Sequence, residues 1–513
     1  MKVQSYILEK RNQTALILNA LSKEFKIEKN SADKEIRYYY DSFDWRLFHE
    51  NLILYYTNNR FVLCNMMSDT TISTAHFDKF PLYLYNKDLP SSPLKNRLIP
   101  IIDIRALIRQ LSEEYSFQTI YLLNEDDKKV VRLFFQNSSL LSDQKKTHLN
   151  QSLQVNAIRG YLAAENKVHE IIQRFSSKSD SFSHFQRIIY HSGNKPAQYS
   201  SKIKINLQEN MTIGEALQKI LAQFADVIKR NEAGIRDDID IEFLHDFRVA
   251  VRRTRSLMGQ SKEILPTHEL ALFRAKFADL QKATNELRDL DVYLLKEQSY
   301  KKILPASLKK PLDLLFDELH EVRINEQQQV KKKLNSKDYK LFLKEWFNFL
   351  KSKQVLLTPE AQTPVLPFAK KVIRKRLQNV LLKMNEMNNI NPGDPQIHAM
   401  RIESKKLRYL LEFFSSLFPV PEIKRVVDQL KNVQDLLGTY NDLSVQSLDL
   451  EQRLSRLNFE QKNPMKTAAA YGGLLTYFNQ ERKMLKKQFK EAFRLFQDPD
   501  QLEIYQKLFN RNF

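Results

Sequence analysis

His245-Asp-Phe-Arg-Val-Ala-Val-Arg-Arg-Thr-Arg255 and His398-Ala-Met-Arg-Ile-Glu-Ser-Lys-Lys-Leu-Arg408 are two copies of one pattern. A constant spacing of 153 residues carries His245 onto His398, Arg248 onto Arg401, Arg252 onto Lys405, Arg253 onto Lys406 and Arg255 onto Arg408. The same spacing continues without a gap through Pro266/Pro419, Gln281/Gln434, Asp289/Asp442, Leu290/Leu443 and Val292/Val445. A register kept over that length marks an internal duplication. Two like units are expected, related by a pseudo-two-fold, with equivalent helices facing a shared central surface.

Read as a helix, the first copy places Leu244, Phe247, Val251, Thr254 and Met258 on one core-facing stripe. His245, Arg248, Arg252 and Arg255 form a second stripe, about 100° round the same helix. The second copy repeats both. Ile397, Met400, Ser404, Leu407 and Leu411 face inward, and His398, Arg401, Lys405 and Arg408 line up beside them. Charges that flank a core lie in a groove or cleft wall, where screening is weak. Like charges four residues apart repel, and the nearby acids, Glu242, Asp246 and Glu403, do not neutralise the rows. The balancing charge is either an external anion or carboxylates from other helices, with Asp289, Asp291 and Asp442 as the structural partners available. Ten cations against three acids leaves an excess that favours an anion. Arginine suits bidentate contact with phosphate. The candidate anion-binding residues are therefore His245, Arg248, Arg252, Arg253, Arg255, His398, Arg401, Lys405, Lys406 and Arg408. Asp289 and Asp442 are expected to be structural and orienting.

Outward from this core, the chain changes character near residue 200. Up to about residue 192, short runs rich in β-branched and aromatic residues read as strands: Ile36–Tyr40, Leu52–Thr57, Phe61–Cys64, Thr119–Leu123 and Val130–Gln136. Ile101–Ser112 and Ala163–Phe175 read as helices. From Thr212 the chain reads as all-α, in stretches 213–231, 243–260, 268–298, 308–335, 365–388, 395–418, 422–447 and 466–496. Thr212 with Glu215 predicts a capping box, and Asp394-Pro395 predicts an N-cap followed by proline.

The paired segments resemble the signatures of the conserved histidine α-helical domain (CHAD) family. Glu286-Leu-Arg-Asp-Leu-Asp-Val292 and Gly438-Thr-Tyr-Asn-Asp-Leu-Ser-Val445 resemble its second motif pair. The resemblance covers roughly residues 205–500. It implies two four-helix bundles around a basic central cleft that binds inorganic polyphosphate without catalysis, and association with polyphosphate granules. Members often carry an upstream CYTH-type triphosphate tunnel domain. Residues 36–56, Arg105-Ala-Leu, Asp127-Lys-Lys-Val-Val-Arg132 and Arg159-Gly160-Tyr161 resemble that domain. The departures fall where chemistry is done. The alternating Glu-x-Glu-x-Lys strand is missing, the first segment keeping only Glu9-Lys10, and Tyr55-Tyr56 stand where arginines are expected. Triphosphate hydrolysis needs carboxylates for a metal and a ring of cations for the phosphates.

The expected organisation is multi-domain. Residues 1–192 form a degenerate CYTH-like α+β domain, mostly β barrel or sheet with helices. Residues 193–204 form a linker. Residues 205–513 form an all-α CHAD domain with repeats at about 212–300 and 365–450.

Composition bounds the remaining possibilities. The chain has 513 residues, 81 Lys+Arg against 61 Asp+Glu, and a formal charge of +20, which favours polyanionic partners. One cysteine, Cys64, excludes an internal disulfide framework and fits a reducing compartment. No stretch reaches the ~20 apolar residues of a membrane span, so a cytoplasmic protein without a membrane partner is expected. Nine glycines supply no phosphate loop of the Walker or Rossmann type, and ten scattered histidines give no metal site. No cofactor and no catalytic residue are expected. Two alternatives stand beside polyphosphate binding: nucleic-acid binding by the same cations, and metal-dependent triphosphatase activity in the N-terminal domain. The first would need aromatics interleaved with the basic rows for stacking; Phe247 and Tyr409 are expected on or near the core side instead.

Overall fold

The computed structural model describes residues 4–509 apart from 11, 69, 142–145, 150, 159, 179–183, 203–204, 266, 353–357, 389–391 and 458–463. Pro266 and Arg159 thus lie outside the described residues. The chain divides into two compact units, Met1–Tyr199 and Ser200–Phe513.

The first unit is built on one antiparallel sheet, eleven-stranded among the described residues. Its elements are β1 (Gln4–Leu8), α1 (Gln13–Leu21), β2 (Lys26–Ser42), α2 (Arg46–His49), β3 (Leu52–Thr57), β4 (Arg60–Asn65), β5 (Thr71–His76), β6 (Tyr83–Leu84), α3 (Pro93–Ile102), β7 (Leu107–Leu123), β8 (Lys129–Leu141), β9 (Lys146–His148), β10 (Gln151–Ala157), α4 (Leu162–Gln173), β11 (Ser177–Lys178) and α5 (His184–Ser192). The strand order is β11-β1-β10-β8-β7-β2-β3-β4-β5. All five segments read as strands from composition lie in strands. Asn58 and Asn59, both at positive φ, make the tight β3–β4 turn, a conformation that asparagine tolerates and hairpin twist favours.

The helix expected over Ile101–Ser112 is a correction. Helix α3 ends at Ile102, and Leu107–Ser112 enters β7, where it pairs with Tyr38–Ser42 of β2. Its apolar residues recur at helical spacing, yet pairing between two long central strands outweighs that local signal.

The second unit is helical: α6 (Ile213–Arg236), α7 (Ile241–Gln260), α8 (Thr267–Ala283), α9 (Asn285–Leu294), α10 (Glu297–Ile303), α11 (Ala306–Asn335), α12 (Lys337–Lys351), α13 (Val365–Asn388), α14 (Asp394–Phe413), α15 (Val420–Ser455), α16 (Pro464–Phe496) and α17 (Pro499–Phe509). The duplication is visible in it. Helices α6, α7, α8/α9 and α11 correspond to α13, α14, α15 and α16. Contacts between the copies join like with like, α6 to α13, α7 to α14 and α11 to α16, the pattern of an isologous, two-fold-like pairing. Every residue of both predicted core stripes is buried.

Three details differ from expectation. The stretch 268–298 is not one helix: it breaks at Thr284, whereas α15 runs unbroken through the equivalent Leu437. The Thr212–Glu215 capping box is present, but Asp394 is the first helical residue of α14 and Gly393 is its N-cap. The Asp394 carboxylate instead accepts from Tyr440 Oη at 2.6 Å and Arg482 Nη2 at 2.7 Å. Helices α12 and α17 belong to neither repeated stretch.

Candidate functional site

Helices α7 and α14 lie side by side, and their basic stripes face one cavity of about 1450 Å3. Helices α8, α9 and α15 supply most of the rest of the wall. Eight of the ten candidate residues line it: His245, Arg248, Arg252, Arg255, His398, Arg401, Lys405 and Lys406. So do Asp289 and Asp442. The lining holds eleven lysines and arginines against four carboxylates.

Arg253 and Arg408 do not line it, which corrects the expectation. Both are claimed by Glu412, whose counterpart at the repeat spacing is Gly259, so the duplication gives it no signature. Arg253 Nη2 lies 2.6 Å from Glu412 Oε2, and Arg408 Nε lies 3.0 Å from Glu412 Oε1. Arg253 also donates to the Ser201 carbonyl at 2.8 Å. One carboxylate thus ties an arginine of each copy, a structural use of charge. Lys406 stands on the cavity wall but pairs with Glu403 at 2.8 Å, and Glu403 also takes Arg376. Asp291 is no partner of the stripe either: it pairs with Arg323 at 2.8 Å, and burial lifts its carboxyl to about 6 despite that arginine.

Five cations remain. Among the described residues, none of Arg248, Arg252, Arg255, Arg401 and Lys405 has a carboxylate at ion-pair distance. Their partners are neutral where they exist. Arg248, only 8 % exposed, donates through Nη1 to the Gln281 carbonyl at 3.1 Å and Thr284 Oγ1 at 2.8 Å, and through Nη2 to Asn285 Oδ1 at 2.9 Å. Arg252 Nε donates to Tyr409 Oη at 2.6 Å, a bond between the two copies. Arg255 donates to Gln281 Oε1. Arg401 and Lys405 donate to no protein acceptor among the described residues, and Arg401 Nε is buried without a partner.

Crowding shows in the ionisation. Burial, then Arg401 and Arg252, push the Lys405 ammonium down to about 7. Burial and Arg252 push Arg248 down to about 10. Burial raises the Asp289 and Asp442 carboxyls although arginines oppose it, and the repulsion between Asp289 and Asp442 adds to the rise at Asp289. Burial leads every one of these shifts, disfavouring the charged form of cation and carboxylate alike. His398 Nδ1 lies 3.4 Å from Asn441 Oδ1.

Sequence reasoning missed Lys262, Arg274, Arg288, Arg376 and Arg453, which also line the cavity. None has a basic counterpart at the repeat spacing: Arg288 corresponds to Asn441 and Arg453 to Tyr300. Arg288 sits inside a quoted motif and was the one findable from the sequence. Tyr409 is 4 % exposed, as expected near the core, but its hydroxyl belongs to the cavity wall.

In the first unit several buried charged groups have protein partners. Glu113, fully buried, accepts from Tyr39 Oη at 2.6 Å and His184 Nε2 at 2.8 Å, and also from Ser138. These contacts, led by His184, hold its carboxyl below the usual range against the cost of burial. Arg37 pairs with Glu35 at 2.6 Å and lies 3.6 Å over the Tyr115 ring. Tyr40-Asp41-Ser42 ends β2: the Asp41 carboxylate accepts from the backbone N–H of Ser42, Leu47 and Phe48, while burial lifts it to about 7. Among the described residues, no group of three His, Cys, Asp or Glu is placed to hold a metal, and no helix is long and apolar enough to cross a membrane.

Residues 219–451 match the family model of the CHAD domain. Among solved structures, the CHAD domain from the plant Ricinus communis is 21% identical, covering 58% of this chain and 97% of that one, with a TM-score of 0.50. PptA from Streptomyces chartreusis is 17% identical, covering 55% and 99%, with a TM-score of 0.44. No curated protein matches the chain.

Proposed function

Starting from a CHAD domain over residues 219–451, we propose that the α7/α14 cavity binds inorganic polyphosphate. The observation that carries this reading is the set of five cations, drawn from both repeats, that face one cavity without carboxylate partners at ion-pair distance. Close like charges in a weakly screened space repel by about 1–4 kcal/mol per pair. A linear anion with a charge on every phosphoryl unit relieves that repulsion along the whole row. Guanidinium groups offer it paired donors, and ammonium groups offer it point charges. Nucleic acid fits less well, because the two tyrosines of the lining, Tyr293 and Tyr409, are buried rather than presented for stacking.

In this reading the first unit is a degenerate CYTH-like domain without catalytic activity. Its interior carboxylates Glu35, Asp41 and Glu113 already have protein partners, and no group of three metal-binding side chains stands together among the described residues. The CHAD domain then docks the protein on polyphosphate granules in the cytoplasm.

The test is competition on the full chain. Long-chain polyphosphate should displace bound RNA and single-stranded DNA at equal charge concentration, with an affinity that falls steeply with salt. Nucleic acid winning that competition would overturn the reading. Magnesium-dependent release of phosphate from tripolyphosphate would overturn the non-catalytic assignment of the first unit.

A further inference from the structure

Resting on the polyphosphate reading, we infer that the cavity is lopsided: Arg401 and Lys405 of the second repeat, with Arg252 of the first, form the subsite that grips one phosphoryl unit most tightly, while Arg248 is a positioning residue that holds the helix break of the first repeat.

The asymmetry starts in the sequence. Arg248 and Arg401 are equivalent, but their surroundings are not. The acceptors of Arg248 are Thr284 Oγ1, Asn285 Oδ1 and the Gln281 carbonyl. At the repeat spacing, Thr284 becomes Leu437 and Asn285 becomes Gly438. Neither replacement side chain can accept a hydrogen bond. The backbone differs too. The first copy breaks between α8 and α9, and there the Gln281 carbonyl accepts from the guanidinium as well as from Thr284. The second copy continues as α15, whose interior carbonyls are used within the helix. Gln434, the counterpart of Gln281, donates to the Ser404 carbonyl and is spent on packing. Arg401 is therefore left in the cavity wall with a buried, unpartnered Nε.

Geometry gathers the rest. Arg401, Lys405 and Tyr409 are four residues apart on α14 and share one face. Arg252 reaches that face from α7 by its bond to Tyr409 Oη. Three positive groups thus converge where the two repeats meet. Burial and its two arginine neighbours destabilise the charge on Lys405, which an incoming phosphate would restore. Asp442, on α15, is the facing carboxylate, and burial raises it as well.

The experiment titrates tripolyphosphate and long-chain polyphosphate into the full-length chain by calorimetry, with thermal melts alongside. R401Q and K405Q should each weaken binding by about 10- to 100-fold, the scale of a lost charge-assisted hydrogen bond. R248Q should lower the melting temperature by several degrees and weaken binding clearly less than R401Q does. Should R248Q not fold, T284V withdraws an acceptor while keeping the cation, and the same split is expected. A folded R248Q that loses as much affinity as R401Q, without a lowered melting temperature, overturns the asymmetry. Wild-type protein that binds neither polyphosphate overturns the underlying reading instead, so the two failures are distinguishable.

Discussion

Arg248 and Arg401 stand at the same place on two copies of one helix, yet one is bound into the fold and the other is left open to the cavity. The helices bearing them are alike in length, in buried stripe and in basic row. The difference lies in what faces them. A broken helix with Thr284 and Asn285 consumes the donors of Arg248; a continuous helix with Leu437 and Gly438 leaves those of Arg401 unspent. The same contrast runs between the two units of the chain. In the first, Glu113 and Arg37 meet partners of opposite charge; in the second, five cations have no carboxylate at ion-pair distance among the described residues. A charged side chain becomes a binding group when the fold withholds its partner, and sequence alone shows the charge more readily than the withholding.

The largest effect should come from removing the unpaired set. Replacing Arg248, Arg252, Arg401 and Lys405 together by Ala should weaken polyphosphate binding by more than about 100-fold while circular dichroism keeps its helical signal. Loss of helicity instead would mean that the row serves the fold in both repeats. Next, E412Q should cost about 2 kcal/mol of stability in denaturant unfolding, because it leaves Arg253 and Arg408 without their shared carboxylate. Its affinity for polyphosphate should stay within about threefold. A large affinity loss there would erase the distinction between paired and unpaired cations.

The pH dependence sharpens the comparison further. Lys405 titrates at about 7 in the folded protein, and a bound anion raises that value. Binding therefore takes up a proton above pH 7, and affinity should fall as pH rises, by up to about tenfold per unit. K405R should flatten this profile. Protonation of Asp289 and Asp442 at low pH acts in the same direction. In the folding equilibrium the depressed Lys405 value means that the unfolded chain holds more protons between about 7 and 10. Stability is thus lower below that window and recovers through it. K405M should stabilise the protein by on the order of 1 kcal/mol in thermal melts at pH 7 while lowering affinity. The smallest effect is expected from G438N. Beyond its own helical turn and chain neighbours, no atom lies within 4 Å of where a Cβ would stand at Gly438, so a side chain has room there. It should weaken binding by about two- to fivefold without altering charge.

Much of this was legible in advance. The duplication gave the like-with-like helices, and the apolar periodicity gave core stripes whose every member is buried. The repeat spacing picked out eight residues that line one cavity. It was blind to cations that do not recur, such as Arg376 and Arg453, because a copied site can recruit charge from uncopied positions. It also misplaced Arg253 and Arg408, since Glu412 lies four residues past Arg408 and reaches Arg253 only across the junction between the repeats. In the first unit, the segment 101–112 has helical spacing and strand pairing at once, and only tertiary partners decide between them.

The bond from Arg252 to Tyr409 and the double grip of Glu412 both cross from one repeat to the other. Half of the duplicated domain, made alone, would therefore present severed fasteners rather than half a receptor. What looks like a tandem gene product behaves as a dimer whose protomers were never free to part, and anything that fills the cavity also bears on the seam that holds them.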